Sequence, residues 1–162
     1  MKNHALALAL PFFLLSTPAP AADPSPIVRY SAKISFENAR EDLVNAITGQ
    51  GLVIDYNSHI ANMLDRTGKD LGHTKRMYGN DQAQSFLFCS ASISRKTMEA
   101  DPHNAAFCPY TITLYSLLQD PGTVYLAYRR PLRADYKPGS AAALREVEKL
   151  LDGIAREALN LQ

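Results

Sequence analysis

The sequence predicts an α+β domain, a mainly antiparallel sheet with helices on one face. Three observations predict it. Segments of alternating, period-two hydrophobicity outnumber segments of helical period. Two of them, residues 111–118 and 123–130, are separated by Asp120-Pro121-Gly122 and read as a hairpin. The final stretch carries Leu144, Val147, Leu151, Ile154 and Ala158 at steps of three and four, one face of a closing helix over 140–159.

Residues 1–21 read as a secretory signal. Lys2 precedes an apolar run over 5–15, Pro18 interrupts it, and Ala19-Pro20-Ala21 offers small residues for cleavage after Ala21. Eleven residues at ~1.5 Å each reach only about 16 Å, half a bilayer core, so the run is too short for a membrane anchor. Residues 22–34 form the lead-in and first strand. Asp23-Pro24-Ser25-Pro26 cannot be helical, and over 27–34 Val28, Tyr30, Ala32 and Ile34 alternate with Arg29, Ser31 and Lys33. Ser35 is a good N-cap for a helix over 36–48, with an inner stripe of Phe36, Ala39, Leu43, Ala46 and Ile47. Gly49-Gln50-Gly51 ends that helix, and a strand over 52–56 follows.

The stretch from 57 to 81 is the least regular: a short helix over 59–65, then a loop punctuated by Gly68, Gly72 and Gly79. An apolar strand follows over 85–93, with Phe86 and Phe88 on one side and Leu87 and Cys89 on the other. Ser94 is expected to cap a short helix ending at Asp101-Pro102, and Ser140 to cap the last helix. The expected order is β-α-β-β-β-β-α in a single domain over 28–162.

Removing 21 residues from 162 leaves 141, the size of one ordinary domain. Lys2 is the only charged side chain removed, so 16 basic and 16 acidic residues remain. That balance excludes nucleic acid and anionic membrane as principal partners. No later segment is long and apolar enough to span a bilayer. The expected setting is the periplasm or the outside of the cell. The expected partner is a small ligand or another exported protein, including a second copy of this chain.

A family resemblance is carried by several motifs. They are Ala39-Arg40-Glu41-Asp42-Leu43, Gly51-Leu52-Val53-Ile54-Asp55, Ser58-His59-Ile60-Ala61-Asn62-Met63-Leu64 and Phe88-Cys89-Ser90-Ala91. Met98-Glu99-Ala100-Asp101-Pro102, Phe107-Cys108-Pro109-Tyr110 and Tyr128-Arg129-Arg130 continue the series. In this order, over about residues 28–131, they resemble the domain-of-unknown-function 302 family. The resemblance implies a fold like one half of a TATA-binding protein. It brings no activity with it. Many members carry a cysteine just after the proline that is here Pro109, where this chain has Tyr110 and places Cys108 before the proline.

Three constellations could carry chemistry. Eighteen residues separate Cys89 from Cys108, and in an oxidising compartment a disulfide would close a loop worth ~3 kcal/mol in the chain-entropy model. Two buried free thiols, or a catalytic thiol, are the alternatives. His59-x-x-x-Met63 and His73-x-x-x-Met77 would each present imidazole and thioether on one helix face, a donor set suited to copper or haem; packing of Met63 with Ile60 and Leu64 is the plainer reading. Arg95 and Lys96 with Arg129, Arg130 and Arg133 would bind a small anion if they converge, and otherwise form a solvated face. Hydrolase, phosphate-loop, zinc-protease and dinucleotide motifs are absent. The sequence therefore points first to an exported binding domain for a small ligand or ion. A homodimeric interaction protein comes second, and a thiol or metal redox protein third.

Overall fold

A computed structural model describes residues 25–131 and 136–161. The expected signal over 1–21 and Arg133 lie outside the described residues. Five strands form one sheet: β1 (Ile27–Ala32), β2 (Val53–His59), β3 (Tyr78–Cys89), β4 (Tyr110–Leu117) and β5 (Val124–Arg129). Their spatial order is β1-β5-β4-β3-β2, and every neighbouring pair is antiparallel. Four helices, α1 (Phe36–Gly49), α2 (Ile60–Gly68), α3 (Ala91–Ala100) and α4 (Pro138–Ala158), and a 3-10 helix (Pro102–Phe107) complete the fold. No helix among the described residues is long and apolar enough to cross a membrane.

The expected stripes of the long helices form the core. Phe36, Ala39, Leu43, Ala46 and Ile47 of α1 are all buried, and the Ser35 hydroxyl accepts from the Asn38 N–H as its N-cap. Leu144, Val147, Leu151, Ile154 and Ala158 of α4 are buried as well. Both helices pack onto the sheet side formed by Phe86, Phe88, Tyr110, Ile112, Leu114, Val124, Leu126 and Tyr128. The hairpin turns where expected, with Gly122 at φ 79°, a left-handed conformation that favours glycine.

Several boundaries differ from the sequence reading. Strand β3 starts at Tyr78, seven residues early, because α2 and the chain after it bring residues 78–83 alongside β3's neighbours. It stops at Cys89 because Ser90 rather than Ser94 caps α3, its hydroxyl accepting from the Ile93 N–H. Ser94 is inside the helix and buried. Helix α4 starts at Pro138, a favoured first-turn residue, and Ser140 is buried instead of capping. Strand β2 runs on to His59, so α2 begins one residue later than expected. Gly68 closes α2 where a side chain could not fit, since an added Cβ would lie 2.6 Å from the His73 carbonyl oxygen.

A polar clasp ties β1 and β5 to α4. The Tyr30 and Tyr128 hydroxyls both donate to Asp152 Oδ1, and Arg156 Nε donates to Asp152 Oδ2 at 2.8 Å. The Arg156 guanidinium also lies over the Tyr30 ring, 4.7 Å from its centroid. Burial works against the Asp152 charge, but the hydrogen bonds from Tyr30, Arg156 and Tyr128 prevail and hold its carboxyl below the ordinary value. A depressed native pKa contributes stability that is present above the unfolded value of about 3.9 and lost as pH falls through the native value. The urea-unfolding midpoint is therefore expected to hold from neutrality down to about pH 5 and to fall below about pH 4. Asp152→Asn should lower the neutral midpoint and make the acid decline shallower.

Candidate functional site

The helices α1 and α4 cover one sheet face, so period-two geometry sends the alternate side chains to the other. The strand registers arrange these into rows. One row runs Arg29, Ala127, Thr113, Ser85 and Ser58 from β1 to β2. Apart from Arg29 its residues are small, so the row is a trough. The neighbouring row begins Ser31, Tyr125, Tyr115 and Ala83 and walls one side. Tyr125 and Tyr115 stack at 5.2 Å, Tyr78 meets Tyr115 edge-on at 6.1 Å, and the Arg29 guanidinium lies 5.8 Å from the Tyr125 centroid. The row on the other side holds Ile27 and Arg129, then Thr111, Leu87 and Tyr56.

A cavity of about 620 Å³ opens on this trough and runs toward the sheet end. It wraps that end: Ser85, Thr111, Thr113, Ala127 and Arg129 line it from the open face, Tyr110, Tyr128, Val147 and Leu151 from the helix side, and Ile27, Ile60, Phe107, Pro109 and Tyr136 complete it. The Ser85 and Thr113 hydroxyls bond to each other at 2.7 Å in the floor. Ser85 is buried although it lies on this face. Arg29 and Arg129 are diagonal neighbours on the face, within reach of one another for side chains of that length. Both are exposed, and neither is ion-paired to a described residue. The wall is rigid at its hairpin end, where the Tyr125 hydroxyl donates to Asp120 at 2.6 Å. That bond is the main cause of a raised Tyr125 phenol and a lowered Asp120 carboxyl.

The residues singled out from sequence divide among different places. His73 and Met77 line a separate concavity of about 400 Å³ beside α2, but in irregular chain outside any helix, so they do not stack on a helix face as expected. His59 ends β2 and Met63 sits in α2, so this pair does not share one helix face either; Met63 is exposed. His59 is instead engaged by Asp81, whose two carboxylate oxygens each lie 2.8 Å from Nδ1. Because a carboxylate only accepts, Nδ1 carries the proton. Asp81 has φ 54°, a costly conformation for a non-glycine residue, and buried Gln84 braces it by donating to its backbone carbonyl and its Oδ2. Among the described residues, no three His, Cys, Asp or Glu side chains gather as a metal site requires.

The basic residues do not converge as one group. Arg95 is beside Glu99 at 3.9 Å and Lys96 beside Glu146 at 2.8 Å, both on an exposed surface. Arg130 is engaged by Glu148 and by the Ser25 carbonyl, so only Arg129 of the four faces the trough without an acidic partner among the described residues. Cys89 and Cys108 are bonded, with Cα atoms 6.2 Å apart. The bond joins the end of β3 to the entry of β4, so of the three readings open from sequence the disulfide is the one present. Sequence reasoning missed Arg29, Tyr115, Tyr125, Ser85 and Thr113. The available signal was their alternation with core residues, but their assembly depends on β1 pairing with β5.

A five-stranded antiparallel sheet, covered by helices on one side and troughed on the other, defines an α+β domain with one open face. The chain belongs to the family described as "Domain of unknown function DUF302", whose profile matches residues 28–158. The match runs beyond residue 131, through α4. A solved structure with the same architecture is the uncharacterized conserved protein DUF302 from Bacillus stearothermophilus. It aligns at TM-score 0.68 and 12% identity, covering 83% of this chain and 99% of that one. No curated protein matches the chain.

Unfolded, unreduced protein is expected to contain no free thiol. Cys108→Ser should lower stability by about 3 kcal/mol in denaturant titration, the value for closing a loop of this length. Two free thiols per chain would show that the pair does not form in solution.

Proposed function

We propose that this chain is an exported binding domain whose open sheet face holds a small amphipathic anion. One observation carries the reading: Arg29 and Arg129, without acidic partners among the described residues, are diagonal neighbours on the open face, where Arg129 lines the mouth of the 620 Å³ cavity. Two cationic side chains without an acidic partner among the described residues favour an anionic guest, and guanidinium binds carboxylate or sulfonate oxygens in a directional fork. The trough supplies the rest. Ile27, Ile60 and Ala127 suit an apolar body, the stacked tyrosines stand in the row beside it, and the Ser85 and Thr113 hydroxyls offer hydrogen bonds at the floor. Export is supported by the apolar run and small-residue cleavage site at the amino end and by the bonded cysteine pair, which suits an oxidising compartment.

Anilinonaphthalene sulfonate, an apolar ring system with one anionic group, tests the proposal by fluorescence titration. Saturable binding at one site per chain is expected. Arg29→Gln with Arg129→Gln should weaken it at least tenfold, because loss of one charge-assisted hydrogen bond costs about 1.5 kcal/mol or more. Arg95→Gln with Lys96→Gln should leave it unchanged. Absence of saturable binding, or equal weakening by both double variants, would overturn the assignment to the trough.

A further inference from the structure

The disulfide has surroundings that a passive cross-link does not require. Cys89 is the last residue of β3 and directly precedes Ser90, the N-cap of α3. Neither cysteine is fully buried. One turn into α3, Ser94 Oγ lies 3.8 Å from Cys108 Sγ, a hydrogen bond to sulfur, and 2.9 Å from the Tyr110 hydroxyl. Ser94 and Tyr110 are 8% and 3% exposed. The Tyr110 hydroxyl has no other partner among the described residues. Burial pushes its phenol up, so it is a neutral donor. A disulfide sulfur can only accept, so the Ser94 proton is directed at Cys108 and Tyr110 donates to Ser94 Oγ.

A sulfur in a disulfide is a weak acceptor, whereas a thiolate is a strong one. The hydroxyl chain thus favours the reduced state with charge on Cys108 far more than it favours the bonded state. We propose that Cys89–Cys108 is a redox-active pair that exchanges with an external dithiol, with Cys108 as the leaving thiolate held by Ser94 and Tyr110. This activity is independent of the binding trough.

The exchange balances as follows. A thiolate of the dithiol attacks Cys89 Sγ, the Cys89–Cys108 bond breaks, and the electron pair goes to Cys108 Sγ. The dithiol's second thiolate then attacks its own sulfur in the mixed disulfide and releases Cys89. The dithiol ends as a disulfide, and the pair here gains two electrons and two protons, or keeps Cys108 as thiolate. Attack at Cys89 is favoured because the sulfur with the lower thiol pKa leaves faster.

Glutathione buffers of graded reduced-to-oxidised ratio test this on the purified protein, with two glutathione molecules standing in for one dithiol and free thiols counted after alkylation. Reversible reduction of folded protein is expected. Ser94→Ala should shift the equilibrium about tenfold toward the disulfide, and Tyr110→Phe, which keeps the ring, should shift it in the same direction. The second readout is the pH profile of iodoacetamide alkylation in Cys89→Ser. Its Cys108 midpoint should lie below the ordinary thiol value of about 8.5 and rise when Ser94→Ala is added. Resistance to glutathione until the protein unfolds, or an alkylation midpoint unmoved by both hydroxyl substitutions, would overturn the proposal and leave a structural cross-link.

Discussion

The structure depends on burial of one side of the sheet only. In β4, Tyr110, Ile112 and Leu114 point to the helices, and β3 and β5 supply Phe86, Phe88, Val124, Leu126 and Tyr128 to the same layer. Each fully buried aliphatic or aromatic side chain contributes roughly 1.5–3 kcal/mol relative to exposure, so this layer resists any slip in register. A slip of one residue would turn Ile112 and Leu114 outward and bring Thr113 and Tyr115 in. The open face follows from the same constraint. Its residues alternate with the core, so they are fixed in direction without being packed, and Thr, Ser, Tyr and Arg can occupy them. The trough is the complement of the core pattern.

The clasp on Asp152 converts this layer into a site. Strand β1 is an edge strand at the beginning of the described chain, and edge strands are held by one neighbour only. Tyr30 and Tyr128, on neighbouring strands, reach one carboxylate on α4 because both lie on the helix side of the sheet. That shared acceptor holds β1 against β5 from behind. Arg29 and Arg129 are adjacent to Tyr30 and Tyr128 in sequence and point the other way. The half-buried clasp therefore sets the spacing of the exposed arginines on the opposite face.

Local pattern was legible in the sequence where one element decides its own burial. The stripes of α1 and α4 and the turn at Gly122 needed no knowledge of the rest of the chain. Long-range pairing was not legible in the same way. Arg29 and Arg129 are a hundred residues apart, and only the closure of β5 onto β1 makes them neighbours. The early start of β3 depends on α2 and on the close approach of Gly68 to His73, neither of which periodicity reports. Ser90 and Ser94 are both chemically able to cap a helix. The choice falls to Ser90 because Ser94 has a buried partner in Tyr110, a contact across sixteen residues. The imidazole–thioether pairs assumed continuous helix; α2 starts only after His59, and the chain after Gly68 is not helical at His73 and Met77.

The crossover between β3 and β4 is anchored at both ends by different means. At its start and finish stands the Cys89–Cys108 bond, which ties the end of β3 to the entry of β4. In its middle, buried Asn104 donates to the Thr97 carbonyl and exchanges hydrogen bonds with Ser140 at the start of α4. An amide with its partners supplied in this way satisfies a polar group that would otherwise cost about 1–3 kcal/mol when buried. It also fixes the 3-10 helix against α4. Phe107 and Pro109, at the end of that segment, form the far end of the trough. The bond and the asparagine do different work there: the bond restrains the chain ends, whereas Asn104 holds the segment between them against α4.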